Sequence, residues 1–538
     1  MKVIGHFFEQ DMDGRLTKYR DYDDDPNGTR KMLQYTYDAA GRAVTMKDYE
    51  NYDTLYSYTA LGQISTITAP GSKVWVYDYN ALGQPTKCML PNGMATEYSY
   101  DGANRMTKLE HKDGATVKLG FTYGLTPGGQ ITRITHNDST YWSYGNDGRG
   151  RLTKAERYTA GNALQLKETY SYDAGDNLLT KVQYDQRPSP AVTKNTWYRY
   201  NAGNELTKMT AGGVDTNMTY GDWGRMITKA QGAYTAAYLW RYGGKLKGVT
   251  TNFPGETTTA YLVDALGKRR VRIVQPDPNN SATWVVTAYR WDAGWNVIGE
   301  YDPGTDSSTH YDLGARNKTL AHRGMATLAE IDGANPTSGT TRYYAHDHLG
   351  SARALYSSAK AELGTLEYNP YGDTYASSGT QPAYSFTGKP YDASIGMYYF
   401  PYRYYSPEMD RWISRDPLGM VDGPNLYGYL RGSALASIDK LGREACTLAI
   451  CGTIWGTCAI ADGPLPIGDI IGGSIFAGGM IWAATRPDEW TETVGMPERL
   501  PPFVPDPMTS CISGCKIAYA GRPIMRLACM AACWLRVI

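Results

Sequence analysis

Tyrosines alternate with polar residues in a unit that repeats along the first part of the chain. The stretches YTYDAAGRAVTM, YSYTALGQISTI, YDYNALGQPTKC and YSYDGANRMTKL place their second tyrosines at Tyr37, Tyr58, Tyr79 and Tyr100, a period of 21 residues. Each unit has a Tyr-x-Tyr pair on one strand face, then a turn with Asp or Asn and Gly, then a second alternating run. A unit of this length is one β-hairpin.

The repeat loosens further along the chain but persists in YSYDAGDNLLTK, YRYNAGNELTKM and MTYGDWGRMITK, around Tyr172, Tyr200 and Tyr220. One hairpin cannot bury its apolar face alone, so neighbouring hairpins have to stack. The pattern therefore predicts a mostly β protein, in which residues 11–400 form a ribbon of hairpins that curves into a concave or closed shell.

Composition also favours a sheet with few helices. The 538 residues include 45 tyrosines, 8 phenylalanines and 59 glycines. Tyrosine favours strands and can bury its ring while its hydroxyl meets water, and glycine supplies turns. Basic and acidic residues number 54 each, so global charge gives no reason to expect binding to nucleic acid or acidic membranes. A short basic run, GKRRVR at 267–272, is interpreted as a solvated face.

The units resemble the YD repeats of the Rhs family, which includes the teneurins and the C components of the Tc insecticidal toxins. Three later stretches resemble the core domain that closes such repeat arrays: YYAHDHLGSARALYS (343–357), YSFTGKPYDASIGMYYFPYRYYSPEMDRWISRDPLG (384–419) and NLYGYLRGSALASIDKLG (425–442). The resemblance covers most of residues 11–443. It implies a YD-repeat shell over 1–300, a core domain over 301–443 that spirals inward as a plug, and a variable C-terminal segment held inside as cargo.

The resemblance also implies a self-cleavage site. In family members that carry cargo, the core domain is thought to cut its own chain, as an aspartic protease does, at the end of the second Asp-Pro-x-Gly-Leu motif. The matching positions are Asp416 in RDPLG and Asp439 in IDKLG, with Arg403 in RYYSP as the assisting arginine, and the bond cut follows Arg443. Two neighbouring carboxylates can share one proton, so that one activates water while the other polarises the peptide carbonyl.

This sequence departs from the family pattern at two positions of the second motif. Lys440 stands where Pro is usual, and Arg443 stands where the cleaved Leu is usual. A long positive side chain at either position could pair with one of the acids and disable it. The alternative interpretation is that Asp416 and Asp439 only form tight turns, as Asp commonly does, and the sequence leaves both interpretations open.

Two other motifs are interpreted as structural. The stretch His346–Asp347–His348 offers metal-ligand chemistry but only a partial ligand set. The tyrosine pairs could stack on sugars, but their regular spacing is what packing of the shell requires. No metal, cofactor or nucleic-acid ligand is predicted.

The tail has a different composition, and three parts are predicted in it. Residues 444–486 are an apolar, Gly-rich helical hairpin, which either packs as a buried helix pair or contacts a membrane through 445–484. Residues 487–508 are an extended proline-rich linker. Residues 509–538 are a Cys-rich helical hairpin.

Seven of the eight cysteines lie in this tail, which favours an oxidising destination. Two CxxxC pairs flank a Gly-Arg-Pro break, so each pair lies along one helix face. The spacing predicts nested disulfides, Cys511–Cys533 and Cys515–Cys529, and a zinc site with four cysteine ligands is the alternative.

Together these features predict an Rhs-type shell protein that encapsulates and presents its C-terminal segment, a membrane-active toxin or the remnant of one, in interbacterial competition or secretion. The tail contains no histidine, which disfavours nuclease, deaminase and metal-hydrolase chemistry. The expected partners are an immunity protein and delivery machinery. The alternative is a cell-surface adhesion or recognition protein whose shell binds glycans or proteins.

Either function predicts a protein that is secreted or displayed on a bacterial surface. The first residues, MKVIGHFFEQDMDGRL, contain no apolar run of signal-peptide length. We therefore expect export by another route or through an upstream segment.

Overall fold

A computed structural model describes the chain at residues 6–21, 32–241, 243–264, 266–303, 313–324, 326–443 and 445–447. These residues fall into two units, residues 6–21 and residues 32–447. The first unit is an antiparallel hairpin of strands β1 (His6–Gln10) and β2 (Leu16–Asp21).

The second unit begins with a long antiparallel meander, in which each strand pairs with the next strand along the chain. Its first part, the repeat region, contains β3 (Leu33–Tyr37), β4 (Ala43–Lys47), β5 (Asp53–Tyr58), β6 (Ile64–Ala69), β7 (Lys73–Tyr79), β8 (Pro85–Met89), β9 (Ala95–Tyr100), β10 (Met106–Asp113), β11 (Thr116–Leu125), β12 (Ile131–His136), β13 (Tyr141–Asn146), β14 (Leu152–Tyr158), β15 (Leu164–Tyr172), β16 (Leu178–Asp185), β17 (Val192–Tyr200), β18 (Leu206–Ala211), β19 (Val214–Tyr220), β20 (Met226–Gln231), β21 (Tyr234–Trp240) and β22 (Leu246–Thr251).

The meander continues across residue 300, the predicted boundary between the repeat shell and the core domain. That boundary stays a prediction. This second part contains β23 (Thr259–Val263), β24 (Arg269–Val274), β25 (Val285–Trp291), β26 (Val297–Pro303), β27 (Leu313–Arg323), β28 (Ala326–Asp332), β29 (Thr340–His346), β30 (Ala352–Ser357), β31 (Glu362–Tyr368) and β32 (Thr374–Gly379). The predicted β-hairpin ribbon is confirmed.

The chain then folds into what we call the core segment, residues 384–443. Its short strands are β33 (Tyr391–Asp392), β34 (Met397–Tyr399), β35 (Tyr404–Ser406) and β36 (Arg411–Trp412), which form one sheet, and β37 (Ser437–Asp439), which pairs with β38 (Ala445–Thr447). Helical structure in the described residues is limited to the 3₁₀ turns Ser281–Thr283, Phe386–Gly388, Met420–Asp422 and Leu430–Gly432. None of the helical segments described has the length and apolarity needed to span a membrane.

The two tyrosines of each repeat pair have different roles. Tyr98, the first of its pair, is buried in the apolar core. Tyr100, the second, is only partly buried, and its hydroxyl donates to the carbonyl of Pro85 at 2.9 Å. The same bond recurs from Tyr58 to Ala43, Tyr79 to Ile64, Tyr172 to Leu152 and Tyr200 to Leu178. The repeats therefore use tyrosine rather than phenylalanine because the hydroxyl links one hairpin to the previous one.

The turns between strands depend on the Asp of each unit. Asp38 Oδ1 accepts the backbone N–H groups of Ala40 at 3.0 Å and Arg42 at 2.9 Å, while Oδ2 accepts from Arg42 Nε at 2.7 Å. The turns at Asp101 and Asp147 have the same bonds, to Arg105 and Arg151 respectively. One carboxylate thus closes the hairpin and holds a local arginine.

The core segment supplies the aromatic centre of the unit. Phe386, Tyr405 and Trp412 are buried, with ring centroids of Tyr405 and Trp412 5.5 Å apart. They belong to one apolar cluster with side chains from β9 through β31. The repeat region and the core segment therefore share one hydrophobic core.

The basic run at 267–272 is not a solvated face, so that prediction was wrong. Lys268 and Arg269 are buried. Asp392 of the core segment lies 3.2 Å from Arg269 Nη1 and 2.8 Å from Arg272 Nη2. The run is buried because the core segment brings a carboxylate to it from far along the chain.

Candidate functional site

Short strands of the core segment bring Arg403, Asp416 and Asp439 together. Arg403 directly precedes β35, Asp416 follows β36, and Asp439 ends β37. The backbone N–H of Asp416 donates to the carbonyl of Leu426 at 2.9 Å, and that of Tyr402 donates to the carbonyl of Leu441 at 2.9 Å. These bonds hold the second Asp turn against the segment that carries Arg403.

One guanidinium nitrogen bridges the two acids, which we call the carboxylate pair. Arg403 Nη2 lies 2.7 Å from Asp416 Oδ2 and 3.1 Å from Asp439 Oδ2. All three side chains are at most 6% exposed. Arg403 Nε also donates to the carbonyl of Gly442 at 2.6 Å, and its guanidinium lies 4.1 Å above the ring of Trp412.

Burial changes the proton affinity of this site. It raises the pKa of Asp416 to about 6, although Arg403 opposes the shift and the nearby Asp439 adds to it. Burial lowers the pKa of Arg403, and the two acids oppose that shift. At weakly acidic pH a substantial fraction of the Asp416 carboxyl groups is therefore protonated.

Each acid also forms a turn, and the two tasks use different oxygens. Asp439 Oδ1 accepts the backbone N–H groups of Leu441, Gly442 and Arg443 at 3.1, 2.6 and 3.1 Å. Asp416 Oδ1 accepts that of Leu418, at 2.8 Å. The Oδ2 atom of each acid faces Arg403 instead. Turn formation therefore explains the role of only one oxygen in each carboxylate.

The expected scissile bond, after Arg443, lies in the turn that joins β37 to β38. Asp439 pairs with Ala445 at the end of this hairpin, and Ser437 pairs with Thr447. The carboxylate of Asp439 is thus at the base of a turn that contains the bond. Residues 445–447 form a strand at the start of the stretch predicted to be a helical hairpin.

The other predictions for the tail lie outside the described residues. They are the remainder of the 444–486 hairpin, the 487–508 linker, the 509–538 hairpin and the disulfides Cys511–Cys533 and Cys515–Cys529. They stay predictions.

A pocket opens beside the carboxylate pair. It measures about 610 Å³, including space open to solvent, and is lined by Arg403, Asp416 and Asp439 together with Asp176, Asp422 and Arg431. Water can therefore reach the pair even though the acids are buried.

Sequence reasoning missed two residues of this site. Trp412 lies under the guanidinium of Arg403, and Gly442 lets the turn approach Arg403. A Cβ at Gly442 would lie 2.9 Å from Phe400 Cβ and 3.1 Å from Arg403 N. The glycine in DKLGR was a signal for Gly442, whereas the local sequence gives no signal for Trp412.

The stretch His346–Asp347–His348 forms a buried turn. Asp347 Oδ1 accepts the backbone N–H groups of Leu349 and Ser351 at 2.9 and 3.1 Å. His348 Nε2 lies 3.1 Å from the carbonyl of Leu435. Within the described part of the chain, no three His, Cys, Asp or Glu side chains are arranged to hold a metal ion.

Known proteins are similar to this chain over much of its length. Residues 10–116 match the teneurin YD-shell family. Toxin subunit YenC2 of Yersinia entomophaga is 25% identical over 386 residues, which are 62% of this chain and 38% of the relative. Toxin protein Tse5 of Pseudomonas aeruginosa is 25% identical over 361 residues, 58% of this chain and 26% of the relative. The chain thus spans well under half the length of these relatives.

Solved structures show the same fold. The crystal structure of TcdB2-TccC3 matches with a TM-score of 0.65 and 20% identity, over 82% of this chain and 24% of that one. Its match extends the likeness well beyond the repeats that the family comparison covers. Together with the Asp-turn hairpins and the unbroken meander, these similarities show that the chain shares the YD-shell fold and is similar to toxins of the Rhs/YD-repeat family.

Proposed function

We propose that residues 32–443 form a shell and plug that hold the C-terminal segment and cut it free once, after Arg443. The observation that carries this proposal is the single Arg403 nitrogen shared by Asp416 and Asp439 at the base of the turn that contains the bond. A structural ion pair needs only one acid for one arginine, whereas two buried acids on one nitrogen suit a pair that shares a proton.

The chemistry uses one acid in each protonation state. Protonated Asp416 donates to the carbonyl oxygen of Arg443 while ionised Asp439 takes a proton from water, whose oxygen forms a bond to the carbonyl carbon. The C–N bond to Glu444 then breaks as the Glu444 nitrogen takes the proton held by Asp439, and the former carbonyl oxygen returns its proton to Asp416. The products are a carboxyl group on Arg443 and an amine on Glu444.

The proposed biological role follows the named activities of the relatives. YenC2 and Tse5 are named as toxin proteins, and we extend that role to this chain. Its tail then acts as toxin cargo in interbacterial competition, delivered outside the cell by a secretion machinery and neutralised in the producing cell by an immunity protein.

The cleavage step is tested on the purified full chain. Incubation at pH 5 to 8 should yield, on a denaturing gel and by intact mass, a large piece and a piece of about 95 residues that begins at Glu444. Asp416→Asn and Asp439→Asn should stay intact. Asp422→Asn, in the same pocket, is the matched control and should still be cut. An intact wild-type chain at every pH would make both acids turn formers only.

The cargo role needs a separate test. Expression of residues 444–538 in bacteria, directed to the cytoplasm or the periplasm, should arrest growth in at least one compartment. Expression of the full chain with Asp439→Asn should not. Normal growth with the tail in both compartments would overturn the toxin role but leave the cleavage step standing.

A further inference from the structure

Tyr402 lies beside the turn with the expected scissile bond. Its backbone N–H donates to the carbonyl of Leu441 at 2.9 Å, so its main chain follows this turn. The centroid of its ring lies 5.3 Å from Arg443 Cζ. This distance is within reach of a cation–π contact.

Neighbouring side chains hold the Tyr402 ring in place. The ring of Trp295 packs on it at 5.1 Å between centroids. Lys245 Nζ lies 4.1 Å from the ring centroid and donates to the carbonyl of Pro401 at 2.9 Å. Burial lowers the pKa of Lys245 to about 7.

The turn itself sets Arg443 beside this ring. Gly442 has a φ of +82° and lies so close to Phe400 that a Cβ would be 2.9 Å from its Cβ, and this close approach fixes the residue that follows. The N–H of Arg443 donates to Asp439 Oδ1 at 3.1 Å. Arg443 is therefore fixed at two points, its backbone by Asp439 and its side chain by Tyr402.

The repeat turns show that this arrangement is particular to the site. In DAAGR, Arg42 at the same turn position binds Asp38 Oδ2 through its side chain. In DKLGR, Asp439 Oδ2 is bound by Arg403 instead. The guanidinium of Arg443 lies by the ring of Tyr402.

We infer that Tyr402 is the specificity-determining residue of the cleavage site, because its ring holds the Arg443 side chain and thereby positions the Arg443 carbonyl group for hydrolysis by the carboxylate pair. The effect of Tyr402 on self-cleavage rests on the proposed function, whereas the contact between Tyr402 and the Arg443 side chain does not. The side chain that suits this position is a long, delocalised cation, where the family pattern has leucine.

The hold on Arg443 is tested with trypsin, which cuts after arginine, in the full chain carrying Asp416→Asn so that self-cleavage does not interfere. Adding Tyr402→Leu should speed the trypsin cut after Arg443 by about two- to fivefold, as expected for loss of a part-exposed cation–π contact. Tyr402→Phe keeps the ring and should leave the rate unchanged. The cut after Arg149, whose side chain is 58% exposed, reports any general loosening. Equal rates at Arg443 in all three chains would overturn the inference.

The effect on self-cleavage is tested by a double-mutant cycle in the chain with both acids. Tyr402→Leu should slow cutting by about two- to fivefold when Arg443 is present, and should have no effect on a chain with Arg443→Leu. Equal slowing in both backgrounds would make Tyr402 a structural residue and overturn the specificity role. If the wild-type chain is never cut, the proposed function fails, and the trypsin rates still decide whether Tyr402 holds Arg443.

Discussion

The turn at Asp38 in the repeat region and the turn at Asp439 in the core segment share the plan D-x-x-G-R but have different neighbours. In both, Oδ1 accepts the backbone N–H of the arginine four residues on, at 2.9 and 3.1 Å. Asp38 Oδ2 is bound by that same arginine, Arg42, whereas Asp439 Oδ2 is bound by Arg403 from 36 residues away. A closed local turn becomes a candidate reactive site when a distant arginine, shared with a second acid, replaces the local one.

Burial separates the two turns as well. The side chains of Asp38 and Arg42 are 23% and 33% exposed, whereas those of Arg403 and the carboxylate pair are 2–6% exposed. An ion pair near water contributes little to stability, but a buried charge that loses its partner is costly. The same kind of substitution should therefore have different effects in the two regions.

Removal of the shared arginine should have the largest effect. Arg403→Met leaves two acids buried without their cation and should lower the free energy of unfolding by about 3–5 kcal/mol. Arg42→Met, the matched change in the repeat region, should leave the urea midpoint within measurement error. Tryptophan fluorescence during urea denaturation measures both. Equal losses would show that the carboxylate pair is no more buried in solution than a repeat turn.

The glycine of the second turn should come next. Gly442→Ala imposes a left-handed backbone on alanine and pushes its Cβ against Phe400, a combined cost of roughly 2–4 kcal/mol. Gly114 has a φ of +57° and nothing within 4 Å of its Cβ position, so Gly114→Ala should cost only about 1 kcal/mol. Both values come from the same urea experiment. A smaller loss at Gly442 than at Gly114 would contradict the close approach to Phe400.

The pH dependence of stability should have opposite signs for Asp416 of the core segment and Asp38 of the repeat region. Asp416 has a pKa of about 6 in the folded chain, so the folded state keeps a proton that the unfolded state has released. The difference in free energy of unfolding between the wild-type chain and the Asp416→Asn variant should therefore shift by about 2 kcal/mol against the wild type as pH rises from 4 to 7. For Asp38, hydrogen bonds from Arg42 lower the pKa. The wild-type chain should therefore be more stable than the Asp38→Asn variant at neutral pH, and this difference in free energy of unfolding should disappear as pH falls below about 4.

Urea midpoints at four pH values between 3.5 and 7.5 measure both differences, on samples whose chain length is checked by denaturing gel. If the wild-type chain instead became more stable relative to Asp416→Asn as pH rises, the effect of Arg403 on the pKa of Asp416 would be larger than the effect of burial. The same result would remove the proton that the proposed cleavage requires.

The repeat region could be predicted from sequence because its bonds are local. The carboxylate of Asp38 and the arginine that it binds are four residues apart, and the tyrosine hydroxyls reach carbonyls 15 to 22 residues back. A period in the sequence therefore contains both partners of each contact. The family motif likewise led to Arg403, Asp416 and Asp439.

The core segment could not be derived in this way. Lys181 binds the buried Asp410 across 229 residues, and Arg269 binds Asp392 across 123. No local pattern pairs such residues, which is why the basic run at 267–272 was wrongly interpreted as solvated. Trp412 was missed for the same reason, since its partner Arg403 is specified by the fold.

Removal of a tyrosine hydroxyl should give the smallest loss in free energy of unfolding. The loss should again differ between the repeat region and the core segment. Tyr100→Phe removes one bond to the Pro85 carbonyl at a partly solvated position, where water can replace it, and should cost about 0.5–1 kcal/mol. Tyr405→Phe removes a bond of 2.7 Å to the Tyr371 carbonyl from a fully buried hydroxyl, and should cost about 1.5 kcal/mol because that carbonyl is left unpaired. Urea midpoints of both variants measure the difference. Equal costs would mean that water reaches the core segment as easily as it reaches the repeats, and that the low exposure of the carboxylate pair does not persist in solution.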